Sequence, residues 1–349
     1  MKTYSIIVFN TKTEINKRNI FPNVLHKIYY NNLSPVIFLI ALSITFAELF
    51  TGSTLFYNLF NPVSLLLLIG LYGGGVVAIR EFTVHYKWEW PALLLLGSAY
   101  GIVEEGFATK TFFDPGKAGF LGIFGRAYGV NWVWVVLIIA FHAIYTITLP
   151  VLLLRVAFPY TNGKPIVPSW GKYAGLTSFT ATAILLFFFG DKTYFPSSGL
   201  IISFALLSIV FVLIAVSFPS GFFNKWAYKR SVNTRKIAIA GAMAVWMAVF
   251  INGIAPLFIP IPFLIILMDV ILGISTLWIV LDSGMISNNH RTIIALSSGL
   301  LSFWIAYSAI IGAIYDYGVE IATVLVIAIL YYLWIKANRL SPESKNPSI

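Results

Sequence analysis

Residues 91–110 read PALLLLGSAYGIVEEGFATK, an apolar run broken near its end by two adjacent acids, Glu104 and Glu105. About 20 mostly apolar residues are needed for a helix to cross the hydrocarbon core of a bilayer. This stretch has the length and, apart from the acidic pair, the composition. Charges within a bilayer are costly and normally face the protein interior, so the pair marks both a span and the place to look for chemistry.

Outward from this stretch the same apolar texture fills the chain. Of 349 residues, 59% are hydrophobic and 10% charged, against about 25% charged in an ordinary soluble domain, and the mean hydropathy is +0.86. Ten candidate spans follow, over residues 34–52, 60–80, 91–109, 131–157, 172–190, 198–217, 236–259, 261–282, 292–313 and 316–336. The expected fold is an all-α polytopic transmembrane helix bundle, occupying 34–336 between tails at 1–33 and 337–349. Pro35, Pro62, Pro91 and Pro262 stand near span starts, where a missing N–H costs nothing. The seventh and eighth spans meet through Pro256, Pro260 and Pro262, as a tight turn or a re-entrant break. The first 33 residues lack the basic stretch, apolar run and small-residue site of a signal peptide.

Charge sets the expected orientation. With the N-terminus inside, 19 of the 23 Lys and Arg residues fall on the inner side, and only Lys110, Lys117, Arg126 and Lys192 on the outer. This is the asymmetry of a protein with basic cytoplasmic loops, and it predicts both termini in the cytoplasm. It also accounts for the net charge of +10 without a nucleic-acid partner. The expected partners are the lipid bilayer and a peptide or small-molecule substrate, and the expected location is the plasma membrane of a prokaryotic cell. The absence of cysteine excludes disulfides, thiolate catalysis and Cys-based metal sites. The longest loop, about 110–130, alternates glycines with Phe112, Phe113, Phe120, Phe124 and Tyr128. Such a segment lies along the outer interface or folds back over the helices as a lid.

Six of the 13 carboxylates fall inside candidate spans: Glu48, Glu104, Glu105, Asp269, Asp316 and Glu320. Glu48, near the outer end of its span, is expected to reach the interface. Asp316 and Glu320, at i and i+4 of a helix start, suit a cap and a wet edge. Asp269 needs a partner, and Asn252 on the preceding span is a candidate for an alternative intramembrane polar site.

Glu104 and Glu105 differ because His142 lies on the next span, about 16 Å along it at helical rise. A carboxylate can accept a proton and hold an imidazole in one tautomer, and the imidazole titrates near neutrality. The three together suit water activation or proton relay. The rival is a structural knot, with Glu105 paired to Lys110 or Arg126 and His142 bonded to Tyr145 or a backbone carbonyl. Neighbouring helical residues point about 100° apart, so both acids are not expected to face one point. No span carries H-E-x-x-H or E-x-x-H, and no second histidine falls within reach. Two Glu and one His could hold a divalent ion, but without a second histidine neither a metal nor another cofactor is expected.

Glu-Glu on one span and His on the next resembles the CAAX-protease and bacteriocin-processing family of intramembrane glutamic proteases, whose pattern runs E-E-x-x-x-R and then F-x-x-x-H. The resemblance covers about residues 91–157. It implies that Glu104 is the base, Glu105 its neighbour and His142 the partner of the attacked water. Thr109 stands at the arginine position and Ile138 at the phenylalanine position, and no histidine lies on a later span. Three functions stand open at this point: an intramembrane peptidase, a proton-coupled transporter or permease, and a non-catalytic membrane scaffold.

Overall fold

The computed structural model describes residues 33–117, 123–218, 233–282 and 289–340. These form ten helices: α1 (Leu33–Leu49), α2 (Pro62–His85), α3 (Pro91–Val103, continued by Glu104–Ala108), α4 (Trp132–Ala157), α5 (Gly171–Phe189), α6 (Ser198–Ser217), α7 (Thr234–Gly253), α8 (Pro262–Asp282), α9 (His290–Ile314) and α10 (Val319–Leu340). Eight of them are long and apolar enough to cross a membrane, while α1 is shorter. The only strands among the described residues are a two-residue hairpin, Arg126–Ala127 against Val130–Asn131. The expected tails at 1–33 and 337–349 lie largely outside the described residues, though α10 runs to Leu340, beyond the expected 336.

Helix starts follow local chemistry. Asn61 accepts from the N–H groups of Val63 and Ser64 ahead of Pro62, and Asn131, Ser197, Asn233 and Asn289 cap α4, α6, α7 and α9 in the same manner. Each satisfies N–H groups that a helix leaves without internal partners. The turn between α7 and α8 is tight, a 3-10 turn at Ala255–Leu257 followed by Pro262 at the start of α8.

Burial ranks the helices. In α4, 67% of the most apolar window is buried, against 11% in α6 and in α8. Helix α4 is therefore central, and α6 and α8 present most of their apolar surface outward, as membrane spans do. Two cores flank α4. Leu149, Leu152, Leu153 and Val156 face a cluster with α9 and α10, whereas Ile147, Val151 and Leu154 face one with α1, α2 and α5.

Two helix crossings depend on glycine. A Cβ on Gly74 of α2 would stand 2.7 Å from Gly175 O on α5, and one on Gly299 of α9 would stand 2.8 Å from Ala242 N on α7. Small residues let backbones approach where lipid supplies no hydrophobic drive between helices.

The loop after α3 folds inward rather than along an interface. Phe112 and Phe113 are fully buried and pack on Phe204 of α6, with centroids 5.5 and 4.9 Å away; residues 118–122 lie outside the described residues. Arg80 and Glu81, expected at the end of a span, sit inside α2 as a buried ion pair. Arg80 also donates to Thr161 O at 2.7 Å. Asp316, expected as a cap, accepts the Phe56 N–H at 2.7 Å and ties the α9–α10 turn to the α1–α2 loop. Glu320 accepts the Gly318 N–H at 2.9 Å. Asp316→Ala leaves the Phe56 N–H without its acceptor and is expected to cost about 1–3 kcal/mol, read as a lower thermal midpoint in detergent.

Candidate functional site

Four helices carry a polar cluster, and each changes its winding where it does so. Glu48 lies in a π-helical turn of α1 (Thr45–Leu49), Tyr72 in one of α2 (Ile69–Gly73), Glu104 and Glu105 in one of α3 (Glu104–Ala108), and His142 and Thr146 in one of α4 (His142–Thr148). The i→i−5 bonds are explicit, Phe50 N to Thr45 O at 3.0 Å and Thr109 N to Glu104 O at 2.9 Å. Such turns are rare and gather at functional sites. They also remove the angular objection raised by the sequence: a wider turn narrows the angle between neighbouring side chains, and both glutamates reach one atom.

That atom is His142 Nε2, 2.8 Å from Glu104 Oε2 and 3.1 Å from Glu105 Oε1. On the other side of the ring, Nδ1 lies 2.9 Å from Thr146 Oγ1. Glu104, Glu105 and His142 are 2%, 8% and 2% exposed, so water screens the cluster little. Tyr72 donates from its hydroxyl to Glu104 Oε1 at 2.6 Å and also touches a carboxylate oxygen of Glu48. Thr54 donates to the other oxygen of Glu48 at 2.6 Å. Thr109 donates to Glu105 Oε2 at 3.2 Å, and Thr111, itself accepting from Trp134 Nε1 at 3.0 Å, reaches the same oxygen.

Hydrogen counting constrains the charge state. A tyrosine hydroxyl has one proton to donate, yet Tyr72 faces carboxylate oxygens of both Glu48 and Glu104. A proton on one of these carboxyls, donated back to the hydroxyl, or a cation nearby would complete the set. Three carboxylates and one imidazole share the cluster, and among the described residues no Lys or Arg joins it.

Lys110 and Arg126 were expected as ion-pair partners of the acids, and the structure places them elsewhere. Lys110 is buried with its ammonium on Asp191 O at 2.5 Å and Tyr194 O at 3.1 Å, and 4.2 Å from the Phe195 ring centroid. Arg126 donates to Phe113 O at 2.8 Å and Asp114 O at 3.2 Å. The cause is backbone geometry. Lys110 takes a positive φ of 63° immediately after α3, and the chain turns it away from the cluster. Tyr145, the other expected partner of His142, donates instead to Leu300 O at 3.0 Å.

Both cations brace the cover over the cluster. Lys117 pairs with Asp191 at 3.0 Å and donates to Thr109 O at 3.2 Å. The Thr193 hydroxyl and backbone N–H, with the Lys117 ammonium, hold the Asp191 carboxyl well below the usual carboxylate range. A carboxyl whose pKa is lowered on folding contributes stability above its unfolded value, about 3.9, and loses it only as pH falls through the folded value. The brace is thus expected to survive acidification from pH 7 to 5, read as unchanged hydrogen-exchange protection at Thr193. Lys110→Met is expected to loosen the 109–117 and 191–195 segments, read as faster exchange there.

A family model described as an uncharacterized membrane protein family matches residues 37–341. The chain belongs to that family. The match takes in Glu48, Tyr72, Glu104, Glu105, His142 and Thr146 alike. It is not a match to the glutamic proteases, so that resemblance rests on Glu104, Glu105 and His142 alone. No curated protein and no solved structure matches the chain.

The alternative polar pair also forms. Asn252 of α7 donates to Asp269 Oδ1 of α8 at 2.9 Å and to Ala248 O at 3.0 Å. It joins two neighbouring helices and holds no histidine. Glu48, half-buried near the end of α1, joins the cluster through Tyr72 and is bonded on its other oxygen by Thr54 of the following loop. Among the cluster residues, Tyr72 and Thr146 escape sequence reasoning because a tyrosine and a threonine on apolar spans carry no charge to draw notice.

Proposed function

We propose that this family member is an intramembrane hydrolase that cleaves a peptide bond of a membrane-embedded substrate with water activated at Glu104, Glu105 and His142. The observation that carries this reading is the convergence of two buried carboxylates on one imidazole nitrogen, with no Lys or Arg among the described residues to neutralise them. A structural knot would have used Lys110 or Arg126.

In this reading a glutamate accepts a proton from water as the oxygen attacks the carbonyl carbon. The tetrahedral intermediate then collapses, the C–N bond breaks, and the same proton passes to the leaving amine. His142, held through Nδ1 by Thr146, orients the carboxylates and shares the proton. General acid–base catalysis of this kind contributes about 10²- to 10⁴-fold. The basic asymmetry of the loops supports an orientation with both termini in the cytoplasm and the cluster toward the outer leaflet.

A second reading, proton-coupled transport, is favoured by one observation: Glu48, Tyr72, Glu104, His142 and Glu105 form a continuous chain of close polar contacts across four helices. One experiment separates the two. Purified protein in liposomes is given transmembrane peptides and, separately, a pH gradient with a pH-sensitive dye inside. New peptide ends that vanish in Glu105→Gln support hydrolysis. Dye response without cleavage replaces it with transport.

A further inference from the structure

Three ligand-bearing side chains from two helices face one another without a matching set of hydrogens. The free Nε2 of His142 offers either one proton or one lone pair, yet it faces two carboxylate oxygens at 2.8 and 3.1 Å. The Glu105 oxygen lies in line for a hydrogen bond, whereas Glu104 Oε2 is buried with no hydrogen-bond partner. Whichever way the proton is placed, one oxygen is left unmatched, and a buried unmatched acceptor is costly.

We infer that Glu104, Glu105 and His142 bind one divalent metal ion of the class that accepts mixed imidazole and carboxylate ligands, as Zn²⁺ does. The ligand atoms Nε2, Oε2 and Oε1 lie within 4.8 Å of one another. Ligands about 2.0–2.2 Å from a tetrahedral ion stand about 3.3 Å apart, so small side-chain rotations open the gap to fit. The outer partners are also those of a metal site. Thr146 engages Nδ1 and leaves Nε2 for the ion, and Tyr72, Thr109 and Thr111 hold carboxylate oxygens; such contacts orient ligands and tune their basicity.

Charge closes as well. Three carboxylates, one divalent ion and the single proton shared among Glu48, Tyr72 and Glu104 sum to zero. An imidazolium with two protons held among the three carboxylates also sums to zero, and uptake of the ion tells the two states apart. With three protein ligands, the fourth position is open to water, whose pKa a bound zinc lowers to about 7. That catalytic role rests on the hydrolytic reading, while binding of the ion does not. The arrangement escapes motif searches because H-E-x-x-H sets its ligands one turn apart on a single helix, whereas here they come from α3 and α4.

The test is equilibrium dialysis of the full-length protein in detergent against Zn²⁺ alone, with bound metal measured by mass spectrometry. Saturable uptake of about one ion per chain is expected, weakened at least about tenfold in Glu104→Gln and Glu105→Gln and unchanged in Asp269→Asn, which alters the Asn252–Asp269 polar pair instead. Folded wild type that takes up no stoichiometric Zn²⁺, or a Glu104→Gln/Glu105→Gln double variant that binds as wild type does, overturns the proposal. Peptide cleavage that persists in metal-stripped protein removes the catalytic role of the ion and leaves the hydrolytic reading standing. Wild type that binds the ion and cleaves nothing supports the site and removes the hydrolytic reading alone.

Discussion

Glu104→Gln, Glu105→Gln and His142→Gln are each expected to lower peptide cleavage in liposomes by about 10²- to 10⁴-fold, while their effects on stability diverge. Either Glu→Gln change keeps the side-chain shape and a carbonyl acceptor, and it removes one charge from a cluster that crowds three carboxylates. The thermal midpoint of both variants should stay level or rise, the trade expected where a functional site is held under electrostatic strain. His142→Gln removes the only side chain in the cluster able to carry positive charge. Removing one partner of a buried charge cluster costs about 3–5 kcal/mol, so this variant should be markedly less stable. If all three melt alike and all three retain cleavage, the cluster is structural and the functional reading falls.

Gly299→Leu is expected to be the most damaging substitution away from the cluster. Even a Cβ at this position meets Ala242 N at 2.8 Å, and the reciprocal position on α7, Gly241, would set a Cβ 2.8 Å from Leu296 O. These are backbone atoms, which cannot rotate aside as a flexible side-chain end can. The helices must separate, giving up the packing between α7 and α9 along with the buried faces of Ile237, Val245, Ile293 and Leu300. Overpacking by even a few methylenes costs about 1–3 kcal/mol, and forcing two backbones apart should exceed that. The expected readout is loss of monodisperse protein in detergent. In contrast, Gly273→Leu on the exposed side of α8, where nothing lies within 4 Å of a Cβ, should be tolerated.

Much of the architecture was legible in the chain because a bilayer imposes a one-dimensional rule. A span must be apolar for about 20 residues, and that can be counted directly. All ten expected segments correspond to helices α1–α10, with ends displaced by a few residues, as at Leu340, and eight of them, all but α1 and α3, are long and apolar enough to span. The polar pair Asn252–Asp269 was legible too, since an acid at mid-span needs a donor and the adjoining helix offered one. Lys110 and Arg126 misled for a reason of the same kind. Proximity in sequence was read as proximity of charge, but a positive φ at Lys110 turned the ammonium onto the carbonyls of Asp191 and Tyr194. The partners of Glu48, Tyr72 and Thr54, were not legible, because rotation about the helix axis decides them and sequence does not give it.

Hydropathy and charge, which accumulate along the chain one residue at a time, were enough to specify a multi-pass helical membrane protein and to single out Glu104, Glu105 and His142. Only the tertiary structure decided that the two acids share one nitrogen, that Tyr72 binds Glu48 into the same cluster, and that no Lys or Arg among the described residues neutralises it. Those outcomes depend on four π-helical turns that rotate side chains relative to the rest of their helices. Such a turn comes from packing between helices, and no local run of residues encodes it.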